Sequence, residues 1–210
     1  MDKDVLIQLL SSVAQGRLSV NAAARKLSHI AYEDIDYAHV DHHRSLRKGF
    51  PEVIFGQGKT ADQVIGIMDK MKDQENVILV TRIEQMKADE VVARFPEAVY
   101  HPDASMIVCE LKKSRIVGRG TIAILSAGTS DIPVAKEAYL TAKAMGNRVN
   151  TIFDIGVAGI HRLFGHKDTI EKASVLIVVA GMEGALPSVV AGMVSRPVIA
   201  VPTSVGYGVS

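Results

Sequence analysis

Four short stretches carry residue types that could do chemistry, and each directly follows an apolar run. Ser126-Ala127-Gly128-Thr129-Ser130-Asp131-Ile132-Pro133 gathers small residues, hydroxyls and a carboxylate. Such a loop lets backbone N–H groups approach an anion closely, which suits a phosphate cradle. Asp131 and Pro133 would equally serve as the N-cap and first-turn proline of a following helix. The glycine spacing matches neither a Walker loop nor a dinucleotide fingerprint.

Asp154-Ile155-Gly156-Val157-Ala158-Gly159-Ile160-His161-Arg162 sets an imidazole beside a guanidinium after two glycines. His161 is of the type that exchanges protons near neutral pH, and Arg162 of the type that clamps a phosphate or carboxylate. A solvated helix start would use the same pair. Ala180-Gly181-Met182-Glu183-Gly184-Ala185-Leu186 places a carboxylate between two glycines. Glu183 would be favoured by a helix dipole, or would join Asp131 across adjacent strand ends as a pair able to handle a substrate proton. Pro202-Thr203-Ser204-Val205-Gly206-Tyr207-Gly208 adds hydroxyls and pliable backbone, as a turn or a ligand wall.

Other groups point less clearly to a site. Asp41-His42-His43 offers metal donors without a spaced third ligand and reads as a solvated segment. Cys109 sits in the apolar run Met106-Ile107-Val108-Cys109 and reads as a buried, inert thiol. No Gly-x-Ser-x-Gly elbow supports a hydrolase triad.

The elements that must hold these loops follow from periodicity. From Thr121 on, the continuous apolar runs Ile122–Leu125, Val149–Phe153, Val175–Val179 and Pro197–Val201 alternate with helical stretches over Pro133 to Met145 and Leu186 to Val194. Gly146 reads as a helix stop. Four such strands predict a parallel sheet covered on both faces, with ligands at the strands' carboxyl ends. Upstream, a helical hairpin is predicted over the first 30 residues, its second helix capped by Ser19. A polar, irregular stretch rich in Asp and His follows from Tyr32 to Lys48. A βαβ-like unit then runs from a short strand ending at Gly56, through a helix with Thr60 and Gln63 at capping-box spacing, to Asn76–Val80. A third helix over Glu84 to Arg94 and weak strands at Ala98–Tyr100 and Met106–Val108 complete this half. The basic stretch from Lys112 to Gly120 marks a boundary, giving an α/β N-terminal domain over 1–115 and a parallel α/β domain over 116–210.

Composition limits the function classes. The 210 residues, 48% apolar and 22% charged, suffice for one or two domains without disulfides, and the single cysteine permits no internal one. With 24 Lys+Arg against 23 Asp+Glu and no basic run longer than a pair, there is no footprint for nucleic acid or an anionic membrane. The N-terminus lacks a signal-peptide layout, and no apolar run reaches the roughly 20 residues that span a bilayer. A cytoplasmic protein acting on a small molecule is the expectation.

In order and wording, the four loops closely resemble the LarB family of nickel-pincer cofactor biosynthesis proteins. Gly49-Phe50-Pro51-Glu52-Val53-Ile54-Phe55-Gly56-Gln57-Gly58-Lys59-Thr60 resembles that family's N-terminal domain. The last ninety residues are more distantly similar to the aminoimidazole ribonucleotide mutase and carboxylase family, whose Gly-Ser-x-Ser-Asp and His-Arg motifs align with Gly128 to Asp131 and with His161-Arg162. The resemblance implies a three-layer α/β domain after a smaller α/β domain. It implies carboxylation of the pyridinium ring of nicotinic acid adenine dinucleotide by CO2 or bicarbonate, with cleavage of the phosphoanhydride to release AMP. It further implies that magnesium assists that cleavage and that the assembly is an octamer-like homo-oligomer. By motif position, Glu183, Asp131 and His161 are the implied catalytic residues. Ser126, Gly128, Thr129, Ser130, Arg162, Gly181, Met182, Gly184, Thr203 and Ser204 are the implied substrate-binding ones. In the family, a cysteine in a further helix past the Gly-Tyr-Gly motif acts as covalent nucleophile. No residue up to Ser210 matches it, and the sequence reads as a chain that stops short of that helix. A purine-pathway carboxylase or mutase and a non-catalytic nucleotide-binding module are the competing readings.

Overall fold

The computed structural model describes residues 3–28, 33–42, 44–181 and 184–204. The chain divides into two compact units, one of residues 1–101 and 106–114, the other of residues 102–105 and 115–210.

In the first unit, α1 (Lys3–Ala14) and α2 (Val20–Ser28) form the expected hairpin, and the Ser19 hydroxyl accepts from Ala22 N–H at the start of α2. The polar stretch that follows is more ordered than its composition suggests, folding into a two-residue antiparallel ladder of β1 (Glu33–Asp34) and β2 (His39–Val40) and the short helix α3 (Arg44–Lys48). Asp41 and His42 are not a solvated segment. His42 is 1% exposed, two residues beyond the buried Val40, and Asp41 N–H donates to Glu52 Oε2 at 2.8 Å. Burial of Val40 in the core draws the residue two further along inward with it.

The β3 (Val53–Phe55), α4 (Ala61–Met71), β4 (Val77–Thr81) unit is a parallel βαβ. It is entered through the predicted capping box: Gln63 N–H donates to Thr60 Oγ1 at 3.2 Å, and Thr60 N–H to Gln63 Oε1 at 3.0 Å. After α5 (Gln85–Arg94), the segments expected as weak strands become β5 (Ala98–His101) and β6 (Met106–Glu110). β6 lies inside the sheet, between β4 and β5 and antiparallel to both, giving the order β3-β4-β6-β5. Val64, Ile67, Met68 and Met71 of α4 pack with Ala88 and Val91 of α5 over Ile78, Val80, Ile107 and Cys109.

The second unit holds β7 (Thr121–Ser126), α6 (Ile132–Ala144), β8 (Arg148–Ile152), α7 (Ile160–Phe164), α8 (Lys167–Lys172), β9 (Val175–Ala180), α9 (Ala185–Met193) and β10 (Val198–Pro202). Its sheet is parallel throughout, in the order β10-β9-β7-β8. Residues of β7 alternate between two cores. Ala123 and Leu125 meet Leu163, Ile170, Leu186 and Val190 of α7, α8 and α9, while Ile122 and Ile124 meet Val134, Ala135 and Ala138 of α6. The sheet is thus covered on both faces, as predicted, but the four strands are not equally buried. Only the inner β7 and β9 are buried along most of their length, whereas at the edges β8 exposes its polar Arg148, Asn150 and Thr151, and β10 exposes Ile199, Ala200 and Pro202 despite its apolar sequence. α6 is stopped by Gly146, whose φ of +76° favours a glycine and whose Cβ would collide with the Arg115 carbonyl. Gly146 N–H bonds Lys143 O and Asn147 N–H bonds Ala142 O, the two crossed bonds that satisfy a helix's last carbonyls.

Candidate functional site

Strand order locates the site. From β7 the chain passes by α6 to β8 on one side and later returns to β9 on the other, so the connections after β7 and β9 leave on opposite faces, led by α6 and α9. A crevice opens at such a switch point, at the carboxyl ends of the two strands. The loops that follow Ser126 and Ala180 border it.

Hydrogen bonds beyond the ladders fix these loops. Ala127 N–H donates to Val179 O at 2.9 Å, and Thr203 N–H to Ala180 O at 3.0 Å, extending the pairing of β7 and β10 with β9. Ser126 is fully buried and joins β7 to the loop after β8. Its Oγ accepts from Asp154 N–H at 3.3 Å and its carbonyl from Ile155 N–H at 3.1 Å. Ser126 therefore organises the floor of the site, and its hydroxyl is occupied by backbone. Gly156 leaves no room for a side chain, since a Cβ there would stand 2.9 Å from Ala127 O.

Asp131 is 4% exposed and is the buried polar centre of the crevice. It precedes α6, with Pro133 in the first turn as predicted, but its side chain bonds no N–H of that helix. It turns back instead. Oδ2 accepts from Gly128 N–H at 2.9 Å and Oδ1 from Thr203 Oγ1 at 2.6 Å. The N-cap role anticipated from sequence is thereby replaced by a bridge between the β7 loop and the β10 loop. The cause is burial: a carboxylate shut away from water needs the strongest donors within reach, and a backbone amide and a hydroxyl supply them. A carboxylate offers about four acceptor positions, so two remain for a ligand. Thr129 and Ser130, beside it, hold their hydroxyls exposed at the rim.

On the next loop, His161 and Arg162 lie exposed in the first turn of α7. Arg162 Nη1 donates to Asp154 Oδ2 at 2.6 Å, an ion pair close to half exposed at each end. Asp154 is a functional candidate that sequence reasoning passed over. Its local signals were a carboxylate directly after a strand and ahead of two glycines, and a residue type that is enriched at left-handed angles such as its φ of +58°. On the β9 loop, Gly184 adopts φ +70° and donates its N–H to Gly181 O at 3.0 Å. Met182 and Glu183 lie outside the described residues, as do Gly206, Tyr207 and Gly208 and also His43. The anticipated pairing of Glu183 with Asp131 is accordingly not part of the described geometry. Ser204 is exposed just beyond Thr203.

Among the described residues, no three His, Cys, Asp or Glu side chains converge as a metal site would require. Cys109 belongs to the core of the first unit. Burial, with the Glu97 carboxylate adding to it, pushes its thiol up to about 11. It is a structural cysteine. No described helix is long and apolar enough to cross a membrane.

Comparison with known proteins accounts for both halves. A LarB/PurE-like N-terminal domain matches residues 32–112, and an AIR carboxylase domain matches residues 121–208. An uncharacterized protein of Methanocaldococcus jannaschii is 40% identical over 212 residues, a match covering 97% of this chain and 83% of that protein. The N5-carboxyaminoimidazole ribonucleotide mutase of the same organism is 37% identical over 84 residues, covering 39% of this chain and 51% of the mutase.

Proposed function

The chain belongs to the LarB family of enzymes of the carboxylase and mutase type, in which a LarB/PurE-like domain precedes an AIR carboxylase domain, and on that footing we propose that it acts in carboxylating the pyridinium ring of nicotinic acid adenine dinucleotide. In the proposed reaction a ring carbon forms a new bond to CO2 and loses its proton, and water cleaves the phosphoanhydride, leaving pyridinium-3,5-biscarboxylic acid mononucleotide and AMP. The observation that carries this reading is the set of groups gathered at the switch point. A hydroxyl-rimmed glycine loop, a buried carboxylate with acceptor positions to spare, and an arginine stand at the carboxyl ends of neighbouring parallel strands.

Roles follow from position and chemistry. Thr129 and Ser130 with Gly128 hold phosphate oxygens at the rim, and Arg162 neutralises them. Asp131 orients a hydroxyl or ring substituent through its unused acceptor positions and works with Glu183 in moving the ring proton, while His161 serves from the adjoining loop. Ser126 acts through the loops it ties, and Gly181, Met182, Gly184, Thr203 and Ser204 line the ligand. The ring has to be activated by a nucleophile before it can attack CO2, and Cys109, buried in the core of the first unit, does not supply one. Among the described residues, no three carboxylate, imidazole or thiol groups converge to hold magnesium. Mg²⁺ commonly keeps several waters and binds through substrate phosphates, so it would come with the dinucleotide. The proposed setting is the cytoplasm, in a homo-oligomer.

A second reading rests on the AIR carboxylase match over residues 121–208 and the shorter kinship to the ribonucleotide mutase: carboxylation or carboxyl migration on aminoimidazole ribonucleotide. Against it stands the N-terminal domain, whose residues 32–112 match a LarB/PurE-like domain and lie outside the AIR carboxylase match. Calorimetric titration with nicotinic acid adenine dinucleotide and Mg²⁺, with aminoimidazole ribonucleotide as comparator, separates the two without requiring turnover. The dinucleotide is expected to bind selectively. Binding of the ribonucleotide alone would overturn the proposal in favour of the second reading.

A further inference from the structure

The Arg162 guanidinium is gripped from two sides. On one, Asp154 Oδ2 accepts from Nη1 at 2.6 Å. On the other it lies against Gly159 so closely that a Cβ on that glycine would stand 2.6 Å from Nε and 3.0 Å from Nη2. The space a side chain would fill at residue 159 is taken by the arginine head.

Neither arrangement is needed for the fold. The ion pair is near the surface, where such pairs contribute little to stability. Gly159 has φ −121°, a value open to any residue, so its backbone does not call for glycine. Asp154, by contrast, holds the left-handed φ of +58°, uncommon for a residue with a side chain. Its N–H is tied to the buried Ser126 hydroxyl and that of Ile155 to the Ser126 carbonyl. Left-handed backbone anchored to a buried residue, with its carboxylate on an arginine eight residues ahead, serves to aim that arginine.

We infer that Asp154 and Gly159 are positioning residues that hold the Arg162 guanidinium ready as a fixed clamp for a nucleotide phosphate. An arginine ordered in advance spares a ligand the cost of ordering a long, flexible side chain on binding. Nη1 is spent on Asp154 while the remaining donors stay available, so the incoming anion meets a guanidinium of defined plane. The inference rests on the proposed reading that Arg162 receives phosphate.

The test is calorimetric titration with AMP at constant ionic strength, beside urea unfolding, for Gly159→Ala, Asp154→Gly, Asp154→Asn and Arg162→Ala. Gly159→Ala displaces the guanidinium without straining the backbone. Asp154→Gly keeps the left-handed turn and removes the acceptor, whereas Asp154→Asn keeps both. The first two are expected to weaken AMP binding roughly 3- to 10-fold, the cost of ordering one long side chain, with unfolding midpoints little changed. Asp154→Asn should stay near the unaltered chain. The sign is diagnostic, because removing a negative charge beside an anion site would by electrostatics alone tighten binding. In an Arg162→Ala background, Gly159→Ala and Asp154→Gly should weaken binding no further. If Arg162→Ala loses affinity while Gly159→Ala and Asp154→Gly keep it, or if their losses add to that of Arg162→Ala, the positioning role is overturned and the phosphate reading stands. If Arg162→Ala binds AMP as well as the unaltered chain, or the unaltered chain does not bind it, the phosphate reading fails and the inference with it.

Discussion

Thr203 Oγ1 donates to Asp131 Oδ1 at 2.6 Å, joining residues 72 apart in sequence across the end of β9. The strand between them belongs to neither loop, so the contact exists only when β7, β9 and β10 are in register. It makes the position of the buried carboxylate a property of the whole parallel sheet.

Replacing Thr203 by Val leaves Asp131 buried with one donor lost, and the expected cost is about 1–3 kcal/mol in urea unfolding. Thr203→Ser, which keeps the hydroxyl, should recover most of it. Equal stability of the Val and Ser variants would mean that the hydroxyl contributes nothing to holding the carboxylate.

Two glycine-to-alanine changes should part in sign. At Gly156 the new methyl meets the Ala127 carbonyl, which is backbone and cannot step aside, and a loss of about 1–3 kcal/mol is expected. At Gly66, inside α4, the methyl overlaps only the hydroxyl end of the Tyr37 side chain, which is half exposed and free to swing outward. There the helical preference for alanine, about 0.8–1 kcal/mol, should leave the variant at least as stable as the parent. Denaturation midpoints measured side by side decide both.

The fold was largely readable where one local stretch settles its own structure. Thr60 and Gln63 cap α4 as their spacing predicts, and Gly146 ends α6 in the left-handed conformation. The apolar runs at 122–125 and 175–179 are the inner strands of the parallel sheet. Reading failed where burial depends on what lies alongside. The runs at 149–153 and 197–201 fall at the sheet's edges, where Asn150 and Thr151 of the first and Ile199 and Ala200 of the second are exposed, and the weak pattern at 106–108 proved to be an interior strand. In the site, the loops were legible as loops, because small residues and hydroxyls collect after each strand. That Asp131 would turn to Thr203 rather than cap its helix was not legible, nor was the use of Asp154, since both depend on distant partners and on a backbone angle.

The Cys109 thiol should resist modification in the folded protein. Its pKa is raised from 9.0 to about 11, so at pH 8 almost no thiolate is present, and the side chain is buried. The folded state holds this proton more tightly than the unfolded state. Its contribution to stability is therefore complete below about pH 9 and is lost as pH rises towards 11. Reaction with a thiol reagent at pH 8 should follow unfolding by urea, and rapid labelling without denaturant would contradict the burial.

Glu183→Gln is expected to abolish turnover and leave dinucleotide binding in place, because the amide keeps the size of the side chain and removes the proton acceptor. Product formation and calorimetric binding, measured on the same preparation, separate the two effects. Undiminished turnover would strike Glu183 from the acid–base pair.

The strand that leads into Thr203 is the outermost of its sheet, bonded along one side to β9 and exposing most of its side chains. Edge ladders of this kind open by local fluctuation at lower free energy than the global transition. Each such opening releases the Thr203 hydroxyl and leaves Asp131 held by Gly128 alone. The crevice thus loses its shape before the molecule loses its fold. Amide exchange along residues 198–203 then reports the fraction of folded molecules whose site is momentarily undone.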